Sequence, residues 1–343
     1  MEIRPAAARG CSCSSGIHAR FSFDFGEWTS PLGASFGALR VLNEDRIGGG
    51  RGFATHGHSD YEIISLVLAG TVRHVDSLTG RATRCSRGEV QYTCAGTGIE
   101  HSEHNDDDDG DGGGGGDSDT DGRELHLMQV WLRPHTLRLP PRYEVRAFRD
   151  WAAGDTGGAL RLLLSAEGAR GSIRMSADAS VLVGAWPPPP PPPPPPAAAA
   201  APAPALVAEW QLEAGRSAYV HLIAGSARVS LTAAAGGDEL AVVTLGTGDA
   251  VAVAASDGGK GGGGSDGGGG GGTSDAAVAH SGAGVARVLR IAPAVGARPA
   301  ATEVLVFDLG STEQHWQALS VEQKFAAFLA AHEAQRSSLV RDL

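Results

Sequence analysis

Apolar residues in this chain come in short runs, some continuous and some alternating with polar positions. The first series covers residues 38–42, 61–68, 71–76, 89–93 and 124–132. A second covers 160–164, 181–185, 218–223, 227–231, 240–245, 250–254, 285–291 and 302–308. Gly70, Gly88, Gly225 and Gly248 fall at breaks between runs. Runs of this length with turn residues between them predict strands, and many short strands at this spacing predict an all-β protein built from barrels or jelly rolls. The two series share a rhythm, which predicts a duplicated unit: one domain over 1–134, a second over 151–310, and a boundary between them. The tail, 311–343, has a different period. Ser320 and Gln323 offer a capping box, and Val321, Phe325, Phe328 and Leu329 fall near one face, which predicts a helix over 320–337 packed on a barrel or a partner.

Composition changes this picture in three places. An acidic, glycine-rich stretch covers 106–122, a proline tract with an alanine tail covers 187–204, and a glycine tract covers 257–274. None carries enough apolar surface to fold, so each is expected to be a disordered loop inserted between strands. Loop-closure entropy grows slowly with length, so a barrel tolerates such insertions. The formal charge of −11 belongs mostly to the first: eight aspartates lie between Asp106 and Asp121, and without them the chain carries −3. The acidity is therefore one loop. No basic cluster points to direct nucleic-acid binding, and no apolar stretch is long enough for a membrane helix. Four cysteines make no disulfide framework in a chain of 343 residues. Cys11-x-Cys13 is read as a free pair, with metal binding the alternative. No apolar signal-peptide core is present, so a cytoplasmic setting is expected. A nuclear one stays open, and Arg4, Arg9 and Arg20 among serines leave organelle targeting open.

The chemistry concentrates in one window. Six of twelve histidines lie between His56 and His126, including the pairs His56-x-His58 and His101-x-Glu103. On a strand, residues i and i+2 point to one face, so each pair presents two donors together. Two such strands side by side bring four donors to one point. Three imidazoles and a carboxylate suit iron, manganese, nickel, copper or zinc and leave positions open. Strand parity counted from His58 also turns Glu62 inward, so Glu62 rivals Glu103 as the carboxylate. His74 and His126 are read as hydrogen-bonded strand histidines, with contact to the ligands the alternative; His104 is read as outward. His221 stands alone in the second series, so the second unit is expected to hold no metal.

Gly50, His56, His58 and Glu62 resemble the first motif of the cupin superfamily. Gly88, Cys94-Ala95-Gly96, His101 and Asn105 resemble the second, with extra residues before the histidine. More narrowly, Phe21-Ser22-Phe23, the run 39–45, Gly52-Phe53, His74-x-Asp76-Ser77, and the runs 95–103 and 125–131 resemble the pirin family. That likeness covers about residues 3–131, and the second half is similar only loosely, through the run 303–308. One departure is His56-Gly57-His58-Ser59-Asp60, where the family has His-Pro-His-Arg-Asp. The resemblance implies a bicupin, two packed barrels with the metal in the first. It implies His56, His58, His101 and Glu103 as ligands, one divalent transition metal with Fe2+ foremost, and a monomer. It is nearest to pirin-like quercetin 2,3-dioxygenases, which implies an oxidoreductase opening a flavonol ring with dioxygen, Glu103 serving as ligand and base. The alternative it implies is a non-enzymatic cofactor, whose iron redox state alters the surface offered to a transcription factor.

Overall fold

The computed structural model describes residues 1–106, 124–188, 206–233, 237–255, 286–294 and 301–310. The predicted helix over 320–337, the glycine tract, and all but the first residue or two of the acidic and proline tracts lie outside the described residues.

The chain is mostly β. In the first half the strands are β1 (Glu2–Arg4), β2 (Gly10–Ser14), β3 (Ile17–Phe21), β4 (Leu39–Ile47), β5 (Gly52–His58), β6 (Glu62–Ala69) and β7 (Thr71–Asp76). They continue with β8 (Ala82–Ser86), β9 (Glu89–Cys94), β10 (Ile99–Asn105), β11 (Leu125–Leu132) and β12 (Arg142–Ala147). The second half carries β13 (Arg161–Ser165), β14 (Ile173–Arg174), β15 (Ala179–Trp186), β16 (Ala208–Leu212) and β17 (Ser217–Ala224). It ends with β18 (Ser226–Ala233), β19 (Glu239–Gly246), β20 (Ala250–Val253), β21 (Arg287–Pro293) and β22 (Thr302–Leu309). Over the described residues, each run of the two apolar series lies on one of these strands to within two residues. The short, half-exposed β8, β12 and β16 carry too few apolar residues to register as runs. Among the described residues, no helix is long and apolar enough to cross a membrane.

These strands form four sheets. A seven-stranded sheet, β12-β9-β6-β11-β4-β3-β2, faces a four-stranded sheet, β5-β10-β7-β8. The second half repeats the plan with β1-β20-β17-β22-β15-β13-β14 and β16-β21-β18-β19. The central strands of each large sheet are buried on both faces, which explains why β6 and β22 read as nearly continuous apolar runs. On β6, Val67 packs with Val72 and Cys85 of the small sheet, whereas Ile64 and Leu66 join a second core. That second core brings Tyr92, Met128 and Val130 against Val181, Val183, Tyr219 and Phe307 of the other unit. A third fills the second unit with Leu182, Val220, Leu231 and Val306. The two large sheets therefore pack back to back, with a small sheet outside each.

Chain order and spatial order differ at both ends of the first half. β1 leaves its own half and pairs with β20, setting Glu2, Ile3 and Arg4 against Ala252, Val251 and Ala250. β12 extends the first large sheet by pairing with β9. Polar contacts reinforce the apolar seam. Arg87 lies 5.4 Å from the Trp151 ring and 3.2 Å from Glu303, which also accepts the Trp151 indole N–H. Glu62 is fully buried on the seam face of β6. Its carboxylate accepts the Tyr92 hydroxyl at 2.6 Å and the backbone N–H groups of Ser176 and Ala177 at 2.5 and 2.6 Å. It thus ties a loop of the second unit to the first.

Removing that carboxylate strands two buried donors and a half-buried one, the buried ones each worth about 1–3 kcal/mol when left unpaired. Glu62→Ala is expected to lower stability by about 3 kcal/mol or more, read by denaturant unfolding. A loss below about 1 kcal/mol would show that the seam does not depend on Glu62.

Candidate metal centre

The site begins with a register. β5 and β10 are antiparallel neighbours, with His101 opposite His56 and Ile99 opposite His58. His56 and His58 share one face of β5, and His101 shares that face across the ladder. The close approach at the far end of this pair requires Gly52, where a Cβ would meet the Glu103 carbonyl oxygen at 2.2 Å. The three rings pack with centroids 4.6 to 4.8 Å apart. One donor atom from each lies within 4.8 Å of the others, and the Nε2 atoms of His56 and His101 are 3.2 Å apart.

Hydrogen bonds set which nitrogens are available. His56 Nδ1 lies 2.7 Å from the Ala54 carbonyl, which can only accept, so Nδ1 carries a proton there and Nε2 is the nitrogen turned to the cluster. His101 Nδ1 lies 3.0 Å from His74 Nε2, on neighbouring β7. With His101 Nε2 turned to the cluster, His101 Nδ1–H donates to His74. His74 then carries its own proton on Nδ1, 3.6 Å from Asp76 Oδ2. The other Asp76 oxygen accepts the Thr79 N–H at 2.6 Å. His74 is fully buried and stacks on Tyr143 at 4.4 Å. Burial, then the neighbouring imidazoles, hold His58 and His101 well below the usual histidine range. Both are therefore neutral at neutral pH, the form that donates to a metal.

Glu103 follows His101 by two residues and is also buried. Its carboxylate accepts Gln129 Nε2 at 2.9 Å, Ser65 Oγ at 3.1 Å and Gln91 Nε2 at 2.5 Å. Gln129, Ser65 and Gln91 are consecutive register partners across β11, β6 and β9. They form a polar row on the inner face of the large sheet, aimed at the one acid opposite. Glu103 is not among the three residues whose donor atoms converge.

Profile comparison matches residues 4–132 to the family described as Pirin. A quercetin 2,3-dioxygenase of Escherichia coli (strain K12) is 36% identical over 176 residues, spanning 51% of this chain and 68% of the relative. A Pseudomonas aeruginosa relative, whose name carries that activity provisionally, is 32% identical over 251 residues, spanning 71% of this chain and 90% of its own length. This chain belongs to the pirin family. The crystal structure of the bacterial pirin YhhW from Escherichia coli in complex with nickel(II) superposes with a TM-score of 0.60 and 27% identity. It covers 90% of this chain and 98% of that protein. The four-sheet architecture is thus the bicupin of pirins.

A metal suits the residues present. Three imidazoles with converging ring nitrogens are a donor set for a borderline transition ion, and a related pirin holds nickel(II). Glu62, by contrast, cannot serve the site. Parity counted from His58 fails because β5 and β6 belong to different sheets, and the chain turns a corner at Asp60, whose φ is 53°. Glu62 consequently faces the seam. His126 lies on that same face, 3.0 Å from Glu44, and makes no contact with the cluster. His74 does touch a cluster residue, so the plain strand reading of it is corrected.

Several functional positions escaped the sequence reading. Ser65, Gln91 and Gln129 each interrupt an apolar strand at an inward position, and that interruption is the signal that could have found them. Trp131 was equally silent; its ring meets His58 edge-on at 4.9 Å, and its indole N–H is buried without a partner among the described residues.

Two outcomes follow from this geometry. His74→Phe keeps the stack on Tyr143 but removes the bond to His101. Metal affinity should fall roughly 10- to 100-fold in chelator competition; unchanged affinity would remove His74 from the site's design. Asp45 is buried on β4, and burial, then the Glu103 charge, raise its carboxyl from 3.8 to about 8. As pH rises past about 4, the unfolded chain gives up this proton while the folded protein keeps it, so its contribution to stability drains away up to about pH 8. Metal-free Asp45→Asn should therefore unfold several degrees above wild type near pH 8, with the gap closing toward pH 4. A gap independent of pH would sink this account.

Proposed function

We propose that this pirin is a metal-dependent dioxygenase of the quercetin 2,3-dioxygenase type, cleaving a flavonol ring with dioxygen. The observation that carries the reading is the convergence of His56, His58 and His101 beside a buried, oriented Glu103. These four residues would hold one divalent ion in the first of the two barrels. Fe2+ is the first choice; Cu, Ni, Mn and Zn also suit the donors. When bound, the ion supplies a Lewis acid for a phenolic oxygen and a route for electrons to dioxygen.

The chain's own residues do the rest. Ser65, Gln91 and Gln129 fix the Glu103 carboxylate through three donated bonds, leaving one lone pair free on its Oε2. Glu103 is thereby oriented to take the proton of a substrate hydroxyl at that oxygen. Trp131, with Tyr61 and Phe25 packed around it, supplies a flat aromatic wall beside His58.

The test is direct. Protein loaded in turn with Fe2+, Cu2+, Ni2+ and Mn2+ is given quercetin under oxygen, and flavonol absorbance and oxygen uptake are followed together. Turnover is expected with at least one ion, falling about a hundredfold or more in Glu103→Gln. No consumption of quercetin with any of them overturns the proposal.

A further inference from the structure

Away from the barrel, one hairpin carries three side chains of metal-ligating type, two of them in contact. The β2–β3 hairpin forms the edge of the first large sheet and turns at Ser15-Gly16, with φ values of 51° and 76°. Cys11 and Cys13 on β2 are both free and exposed. Being two apart on a strand, they share a face. His18 sits directly opposite Cys13 in the ladder, is exposed too, and its Nε2 lies 3.8 Å from Cys13 Sγ. The other two cysteines, Cys85 and Cys94, are buried as ordinary core residues. Free cysteine usually hides in a core. A hairpin that displays two on one face, with an imidazole against one of them, needs a reason.

From this arrangement we infer that Cys11, Cys13 and His18 form a second metal site, separate from the barrel, selective for a thiolate-preferring d10 cation of the Zn2+ class. Two donors on one tetrahedral zinc, a sulfur at about 2.3 Å and a nitrogen at about 2.0 Å, lie roughly 3.5 Å apart. The Cys13–His18 separation of 3.8 Å is within a few tenths of an ångström of that. Cys11 lies about 6.7 Å along the strand from Cys13, and its exposed side chain would have to rotate toward the pair to supply the third donor. The same spacing disfavours a disulfide between the two, because it sits at the far limit of the usual Cα range of about 4.4–6.8 Å. Metal is thus the better bridge. Each thiol gives its proton to solvent as it binds, and the fourth position stays open to water. The donor set of two sulfurs and one nitrogen is softer than the barrel's imidazoles, so the two sites should differ in the ions they prefer. This site makes no use of the proposed oxygenase chemistry and stands or falls independently of it.

The experiment uses the full chain, fully reduced and stripped of metal, titrated with Zn2+ and separately with Co2+ as an optical probe. Two zinc equivalents are expected in wild type. Cys11→Ser with Cys13→Ser should lose one and keep the other, and His56→Ala with His101→Ala should do the reverse. With cobalt, a near-ultraviolet thiolate-to-metal band should appear in wild type and in His56→Ala/His101→Ala, and vanish in the cysteine variant. His18→Ala should weaken the cobalt band or shift its titration at least tenfold. All three hairpin residues are exposed, so these changes leave the core intact, and circular dichroism verifies it. The inference fails if reduced wild type gives no thiolate band, or if the cysteine variant still binds as much zinc as wild type.

Discussion

Antiparallel pairing of β5 with β10, in the register that sets His101 against His56, is the constraint from which the rest of the site follows. Histidines two apart on one strand share a face whatever their partner; only the cross-strand register brings a third imidazole to the same point. A slip of one residue would turn His101 outward and put Glu100 or Ser102 in its place. The register is held from several sides. β10 pairs with β7 on its other edge, which also delivers His74 to the back of His101. Gly52 lets the strands close at one end, and the corner at Asp60 is pinned by its N–H to the Gly96 carbonyl at 2.9 Å and by its carboxylate to the Arg138 N–H at 2.6 Å.

The two large sheets give each strand two unlike jobs. Along β6, the residues Ile63, Ser65 and Val67 belong to the interior of the first unit, while Glu62, Ile64 and Leu66 belong to the seam. Buried acids on the two faces are both satisfied, by opposite strategies. Glu103 meets side-chain amides and a hydroxyl, which come from a rigid sheet and so orient it. Glu62 meets backbone N–H groups of the other unit, which makes it a fastener. Chemical type alone does not separate an oriented carboxylate from a fastening one; the source of its hydrogen bonds does.

Much of this was legible in the sequence, because strand period and burial write themselves into apolar runs. The two series of strands, the paired donors on β5 and β10, and the family likeness all rest on patterns local to a few residues. What was not legible depended on which sheet a strand joins. Glu62 was misread because parity carries along one strand and not around a corner between sheets. The Ser65, Gln91 and Gln129 row is spread over 65 residues of sequence and becomes a row only through pairing. The contact of His74 with His101 likewise exists only once β7 lies beside β10.

β1 carries a consequence of its own. By pairing with β20 it caps the edge of the second large sheet, so a segment encoded before the first unit completes the second. The two halves are therefore interlocked like a dovetail, and the linker between them is not a place where the protein comes apart. A second half made without its first would expose the backbone of β20, an unpaired edge that invites strands from other chains. Repeats that look like beads in sequence are, in this molecule, stitched into one fabric by three residues.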